Sequence, residues 1–147
     1  MYYIEDNSSS VNLESVRTWL DKILSYLSES GDFSLHFISD EEMRALNKEY
    51  RDKDEPTDIL TFAINDGFDF PSVEGEEREL GDVFISLDSM KRNAQMLGVD
   101  ESEELRRLLV HGVLHLRGMD HQTNDFSSEP MLIEQERIMK DLGFLST

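Results

Sequence analysis

Three of the chain's four histidines stand within His111-Gly-Val-Leu-His115-Leu-Arg-Gly-Met-Asp-His121. A helix turns once in about 3.6 residues, so His111 and His115, four apart, share a face and aim their imidazoles at one point. Gly118 can take the left-handed conformation that ends a helix, which turns the chain back and brings His121 to the same place. Three neutral nitrogens suit one divalent cation per chain, zinc by default. A three-ligand site leaves a coordination position for water, as catalytic rather than structural sites do. The chemistry this spacing predicts is hydrolysis. Two plainer readings stand beside it. A histidine pair can fall on a helix surface by chance, and a metal can be structural, although structural sites usually take four protein ligands, commonly thiolates, and this chain has no cysteine.

The elements that must position this cluster follow from periodicity. Residues 2–5 suit an opening strand. Val11 to Leu27 carries Val16, Leu20, Ile23, Leu24 and Leu27 at helical spacing. Phe33, Leu35 and Phe37 alternate with Ser34, His36 and Ile38 as in a strand, and Ser39 or Asp40 then caps a short helix bearing Met43, Leu46 and Tyr50. His36, within that strand, reads as a hydrogen-bonded or exposed residue rather than a ligand. After a charged turn at 51–57, the apolar run Ile59 to Ile64 predicts a strand buried on both faces. Val83 to Ile85 follows as another strand, and Met90 to Leu97 as a helix ending at Gly98. Asp100 with Glu103 forms a capping box for the helix of Leu105, Leu108, His111 and His115. Pro130 opens a last helix, closed by Gly143. The expected architecture is a single α+β domain over residues 1–147, a mixed sheet of about four strands covered by helices, with the metal-binding helix late in the chain.

Composition narrows the partners. Thirty-two acidic against fourteen basic residues give a formal charge of −18, which argues against broad attraction to nucleic acid or anionic membrane. A polyanionic substrate must therefore be captured locally, and Arg51, Lys53, Arg106, Arg107 and Arg117 belong to or flank the motif-bearing segments. Six acids between Asp66 and Glu79, with Gly67, Pro71 and Gly75, read as an exposed loop. Without a cysteine framework, a basic apolar leader or an apolar run of membrane-spanning length, a soluble cytoplasmic protein is expected.

The same histidine spacing occurs in metzincin proteases, where a glutamate directly after the first histidine is the general base. Gly112 stands there in this chain, which moves peptide hydrolysis to second place. A glycine inside a helix costs about 1 kcal/mol relative to alanine, so close approach of a strand or substrate is expected at Gly112.

The segment His111 to His121 resembles the signature of the YbeY-type endoribonucleases, bacterial rRNA maturation factors. Leu46-Asn-Lys-Glu-Tyr-Arg51-Asp-Lys-Asp-Glu-Pro56-Thr57-Asp58-Ile-Leu resembles their second motif, and Gly81 to Ser86 and Glu134 to Gly143 are also similar. The resemblance runs from about residue 40 to the C-terminus. It implies a zincin-like α+β domain in which His111, His115 and His121 hold zinc. It also implies single-strand-specific RNA cleavage in 16S rRNA 3′-end maturation and ribosome quality control, with rRNA and small ribosomal subunit proteins as partners and no role for DNA. The family's functional arginine falls on Arg51. Met119 stands where tyrosine is common, and Thr61-Phe62-Ala63 where Ser-Phe-Pro is usual.

The expected mechanism joins a metal that polarises a phosphodiester oxygen or supplies hydroxide to Arg51, whose planar guanidinium clamps the phosphate. Arg51 could instead form a structural ion pair with Asp52, Asp54 or Asp58. Asp120 could orient a ligand histidine. The alternatives are a generic zinc-dependent hydrolase or protease, and a noncatalytic ribosome-assembly factor with a structural metal.

Overall fold

In the computed structural model, which describes residues 1–6, 11–64 and 79–145, these patterns resolve into four strands and five helices. In chain order they are β1 (Tyr2–Asp6), α1 (Leu13–Leu27), β2 (Asp32–Ile38), α2 (Asp40–Arg51), β3 (Ile59–Ala63), β4 (Glu79–Ser86), α3 (Leu87–Leu97), α4 (Glu101–Leu116) and α5 (Pro130–Asp141). The sheet runs β1-β2-β4-β3; β1, β2 and β4 are parallel and β3 joins β4 antiparallel at the edge. The α+β class and mixed four-stranded sheet agree with the sequence reading. Thirteen of the fourteen residues of the expected acidic loop, 66–78, lie outside the described residues, and Glu79 opens β4.

The two faces of the sheet are covered unequally. Phe33, Leu35, Phe37, Val83 and Ile85 point into the main core, where they meet Val16, Leu20 and Ile23 of α1, Leu109, Val110 and Val113 of α4, and Met131 and Ile138 of α5. On the opposite face, among the described residues, α2 lays Met43 and Leu46 over Ile38, Leu60, Phe62 and Phe84. Helix starts follow local chemistry: Asn12 accepts the Ser15 amide at 3.1 Å and Ser39 the Glu42 amide at 3.1 Å, so Ser39 rather than Asp40 is the cap.

Two expectations are corrected. The Asp100–Glu103 capping box does not form: Asp100 is the N-cap but its side chain makes no cap hydrogen bond, and Glu103 is drawn to Arg107 one turn on, at 3.2 Å. β3 is not a strand buried on both faces; it ends at Ala63, and of its five residues Leu60 and Ala63 are buried while Ile59, Thr61 and Phe62 are half-buried. Four consecutive residues, Ile59 to Thr61 and Phe62, line one cavity. Because strand side chains alternate in direction, such a run faces a cavity through the strand's edge.

That cavity lies between β3 and the end of α4 that bears His111 and His115. Helix α4 comes close to the sheet at Gly112, where an added Cβ would stand 3.0 Å from Val83 Cγ1 and 3.3 Å from Ile59 Cδ1. The approach expected at this glycine is therefore made by strands, and a side chain here would push the helix away from the sheet.

Candidate metal centre

His111 and His115 occupy the last two turns of α4, one turn apart. The helix closes on Arg117, and Gly118 takes φ +97°. The Gly118 amide donates to the His115 carbonyl at 2.9 Å and the Met119 amide to the Leu114 carbonyl at 3.0 Å. These two reverse bonds form a Schellman motif, which turns the chain back over the helix end. His121 is thereby carried to the pair. Its main chain is tied by Asp120, whose Oδ1 accepts the His121 amide at 2.8 Å, so Asp120 anchors the backbone of this histidine rather than its ring.

The three rings converge. Centroids are 4.7 Å apart for His111 and His115, 5.2 Å for His111 and His121, and 5.6 Å for His115 and His121. One nitrogen from each lies within 4.8 Å of the other two. Which nitrogen faces inward follows from what the others touch. His111 Nδ1 meets Gln135 Oε1 at 2.6 Å, His115 Nδ1 the Met119 carbonyl at 2.9 Å, and His121 Nδ1 the Thr123 carbonyl at 2.7 Å. An oxygen of this kind only accepts, so each Nδ1 carries a proton, and in the neutral form of each ring the lone pair lies on Nε2. Gln135 is itself fixed in sense, since its amide nitrogen donates to Glu136 Oε2 at 2.9 Å.

Burial pushes the His111 imidazole down to about 4; the Gln135 bond opposes this shift and the neighbouring imidazoles deepen it. The ring is neutral at physiological pH, the form a metal ligand requires. The donor set fits a divalent cation: three imidazoles, each oriented through its Nδ1, converge at the wall of a cavity of about 810 Å³.

Arg51 lines the same cavity. It is the last residue of α2, and Asp52 follows in the left-handed conformation at φ 57°. The turn beyond is pinned by buried Asn47, whose side chain donates to the Glu55 carbonyl at 2.9 Å. Two of the three acids that could have held Arg51 as a structural pair are otherwise engaged: Asp54 takes Arg44 Nε at 2.7 Å, and Asp58 accepts Asn93 Nδ2 at 2.9 Å. Among the described residues no ion pair is recorded for Arg51 or for Lys53, which also lines the cavity.

The other three basic residues near the motifs, Arg106, Arg107 and Arg117, are spent on structure. Arg117 pairs with Glu29 at 2.8 Å, and Arg106 donates to the Phe144 carbonyl while lying over the Trp19 ring. Arg107 grips Glu136 through Nε at 2.9 Å and Nη2 at 3.1 Å, and meets Glu103 and Glu104 at 3.2 and 3.3 Å. The expected positive cleft therefore narrows to Arg51 and Lys53.

Sequence reasoning missed several contributors. Gln135 sits on the buried stripe of α5 with Met131, Leu132, Ile138 and Met139, and a polar residue at a core position was the available signal. Two carboxylates also line the cavity. Burial raises the Asp58 carboxyl above the usual range against its bonds from nearby N–H groups, Asn93 and Thr57. Burial likewise raises Glu104, with Arg107 opposing and Asp58 adding to the shift. The Met119 departure does not affect the ring contact, because the carbonyl rather than the side chain holds His115. His36 stacks on Phe84 at 4.5 Å, between Glu5 and Asp82, far from any ligand role, as its strand setting suggested.

A family profile described as Endoribonuclease YbeY matches residues 2–143. The Endoribonuclease YbeY of Treponema denticola is 40% identical over 138 residues, covering 92% of this chain and 88% of the relative. That of Borreliella burgdorferi is 37% identical over 139 residues, covering 90% of each. The solution structure of TM1509 from Thermotoga maritima superposes with a TM-score of 0.64 at 26% identity, covering 97% of this chain and 89% of that one.

Proposed function

Because the chain belongs to the endoribonuclease YbeY family, we propose that it hydrolyses phosphodiester bonds of single-stranded RNA at the three-histidine centre. The observation that carries this reading is the convergence of His111, His115 and His121, ring-fixed through Nδ1, beside an Arg51 that pairs with no described acid. Zinc is the ion proposed, held by the three Nε2 atoms. When bound, it supplies Lewis-acid charge neutralisation and acidifies water.

The residues of the chain do the rest. Arg51 binds the substrate phosphate, and its fixed charge stabilises the negative charge that grows on the phosphate oxygens as the bond breaks. Lys53 adds a second, more mobile cation to the same wall. Gln135, Met119 and Thr123 hold the imidazoles in the single tautomer the centre needs. Peptide hydrolysis is the weaker reading, since Gly112 offers no base and the strands beneath it leave no room for one.

The cellular setting proposed is that of the family: 16S rRNA 3′-end maturation and ribosome quality control, in the cytoplasm, by one domain working with small ribosomal subunit proteins. No helix among the described residues is long and apolar enough to cross a membrane.

Elemental analysis of the purified protein with a cleavage assay on single-stranded RNA tests this. Wild type is expected to carry one zinc per chain and cleave. His115→Ala should lose both metal and cleavage. Arg51→Ala should keep the metal and the melting temperature but lose most activity. Undiminished cleavage by Arg51→Ala in a nuclease-free preparation would overturn the role given to Arg51, and undiminished cleavage by His115→Ala the site itself.

A further inference from the structure

Three large apolar side chains stand in water at the cavity that holds the histidines. Met96 and Leu97, at the end of α3, are 83% and 62% exposed, and Phe126, between His121 and α5, is 49% exposed. Leaving such groups uncovered forfeits the stabilisation that burial would give, so their gathering at one opening marks a contact surface.

Phe126 is held there by a closely bonded loop. Asp125 accepts the Ser127 amide at 3.0 Å and the hydroxyls of Ser127 and Ser128 at 2.6 and 2.8 Å. The Glu129 carboxylate accepts the amide and hydroxyl of Thr123 at 3.1 and 3.0 Å, and the Thr123 hydroxyl accepts the Asp125 amide at 3.2 Å. The Thr123 carbonyl is the acceptor that orients His121. One short loop thus sets a ligand histidine and presents an uncovered phenyl ring to the same cavity.

The chemistry that shares the cavity with that ring says what covers it. Arg51 and Lys53 are the cavity's cations without a recorded partner among the described residues, in a chain of charge −18. A partner that brings anionic groups to the cations and flat apolar faces to the ring is a polynucleotide with unpaired bases. In a duplex those faces are already stacked and turned inward.

We propose that Phe126 is a stacking platform for an unpaired nucleobase of the strand whose phosphate meets Arg51, with Met96 and Leu97 as apolar contacts, and that this subsite selects single strands. The proposal rests on the endoribonuclease reading above. It assigns to one aromatic side chain a discrimination that the metal and the cations, which see only the backbone, cannot make.

The test is binding of a fluorescein-labelled oligoriboadenylate by the zinc-loaded protein, compared with an abasic strand of equal length. Phe126→Ala should weaken binding of the base-bearing strand on the order of tenfold. Phe126→Trp should bind it as tightly as wild type or more so. All three proteins should bind the abasic strand alike. Zinc content and melting temperature should be unchanged, since the ring is exposed. Equal affinity of wild type and Phe126→Ala for the base-bearing strand, or the same loss on the abasic strand, would overturn the platform. A change in sedimentation mass on replacing Phe126 would also overturn it, by assigning the ring to a protein contact. If wild type cleaves RNA but Phe126→Ala binds it undiminished, only the platform fails; if wild type neither binds nor cleaves, both readings fall.

Discussion

Gln135 of α5 accepts the Nδ1–H of His111 of α4 at 2.6 Å, and its amide donates in turn to Glu136, which Arg107 of α4 grips by two nitrogens. A chain of part-buried polar contacts thus runs from the carboxylates near the start of α4 to His111, by way of the neighbouring helix. Replacing Gln135 by leucine keeps its volume within the apolar stripe of α5 but removes the acceptor. Metal affinity, measured by competition with a chromogenic chelator, should fall by roughly ten- to a hundredfold, the usual effect of losing such a partner. The metal-free protein should melt close to wild type. Unchanged affinity would mean that packing alone orients the ring.

Gly112 makes a second expectation possible. Alanine there would gain about 1 kcal/mol in helix propensity, but its Cβ would sit 3.0 Å from a γ-carbon of buried Val83 on β4. An interior strand has little freedom to yield, so overpacking of roughly 1–3 kcal/mol outweighs the gain and Gly112→Ala should be net destabilising. Urea denaturation of Gly112→Ala, Val83→Ala and the double variant should show favourable coupling between the two sites. Strict additivity would place the strain elsewhere.

Asp40 ties α2 to α3. Burial pushes its carboxyl up, but Arg92 Nη1 at 2.6 Å and the Ser89 and Ser86 hydroxyls at 2.6 and 2.7 Å outweigh that and hold it at about 2, against an ordinary 3.8. A carboxylate lowered in this way stabilises the fold above its unfolded value, and that contribution is lost as pH falls through the folded one. Asp40→Asn should therefore cost roughly 1–2 kcal/mol near neutrality, after allowance for partial exposure. The gap from wild type should close between about pH 4 and about pH 2 in acid titrations followed by circular dichroism. A gap that persisted at the acid end would assign the loss to the hydrogen bonds alone.

Salt should weaken RNA binding only modestly for a nuclease. Each phosphate contact on a single strand contributes about 0.7 to the slope of log affinity against log salt. Arg51 and Lys53 together imply a slope of roughly −1.4, and Arg51→Ala should reduce its magnitude by about 0.7. Anisotropy titrations across salt concentrations read this directly. A slope several times steeper would require basic residues beyond these two.

The legible part of the site was the part that is local. His111 and His115 one turn apart, a glycine to end the helix and a third histidine just beyond it specify convergence without reference to the rest of the chain. The acceptors behind the rings are a different matter. Gln135 reaches His111 only because α5 packs on α4, and the carbonyls of Met119 and Thr123 carry no side-chain signature at all. Arg107 flanks the motif as a cation, yet Glu103 and Glu104 of its own helix and Glu136 brought up by α5 neutralise it. The run Ile59 to Ile64 was recognisable as a strand. An apolar run cannot say whether its edge meets another strand or a cavity, and here it meets the cavity.

The fixing of each imidazole by a protein oxygen has a consequence for how the centre is filled. Because the rings are posed in advance, loading does not wait on refolding. Donors that are all nitrogen and all neutral discriminate poorly among late first-row divalent ions, with copper favoured over zinc on affinity alone. Selection of the ion then passes from the architecture to the cellular supply: the free concentrations met as the protein matures, and the order in which competing metals are buffered away, decide which ion a newly made molecule would carry.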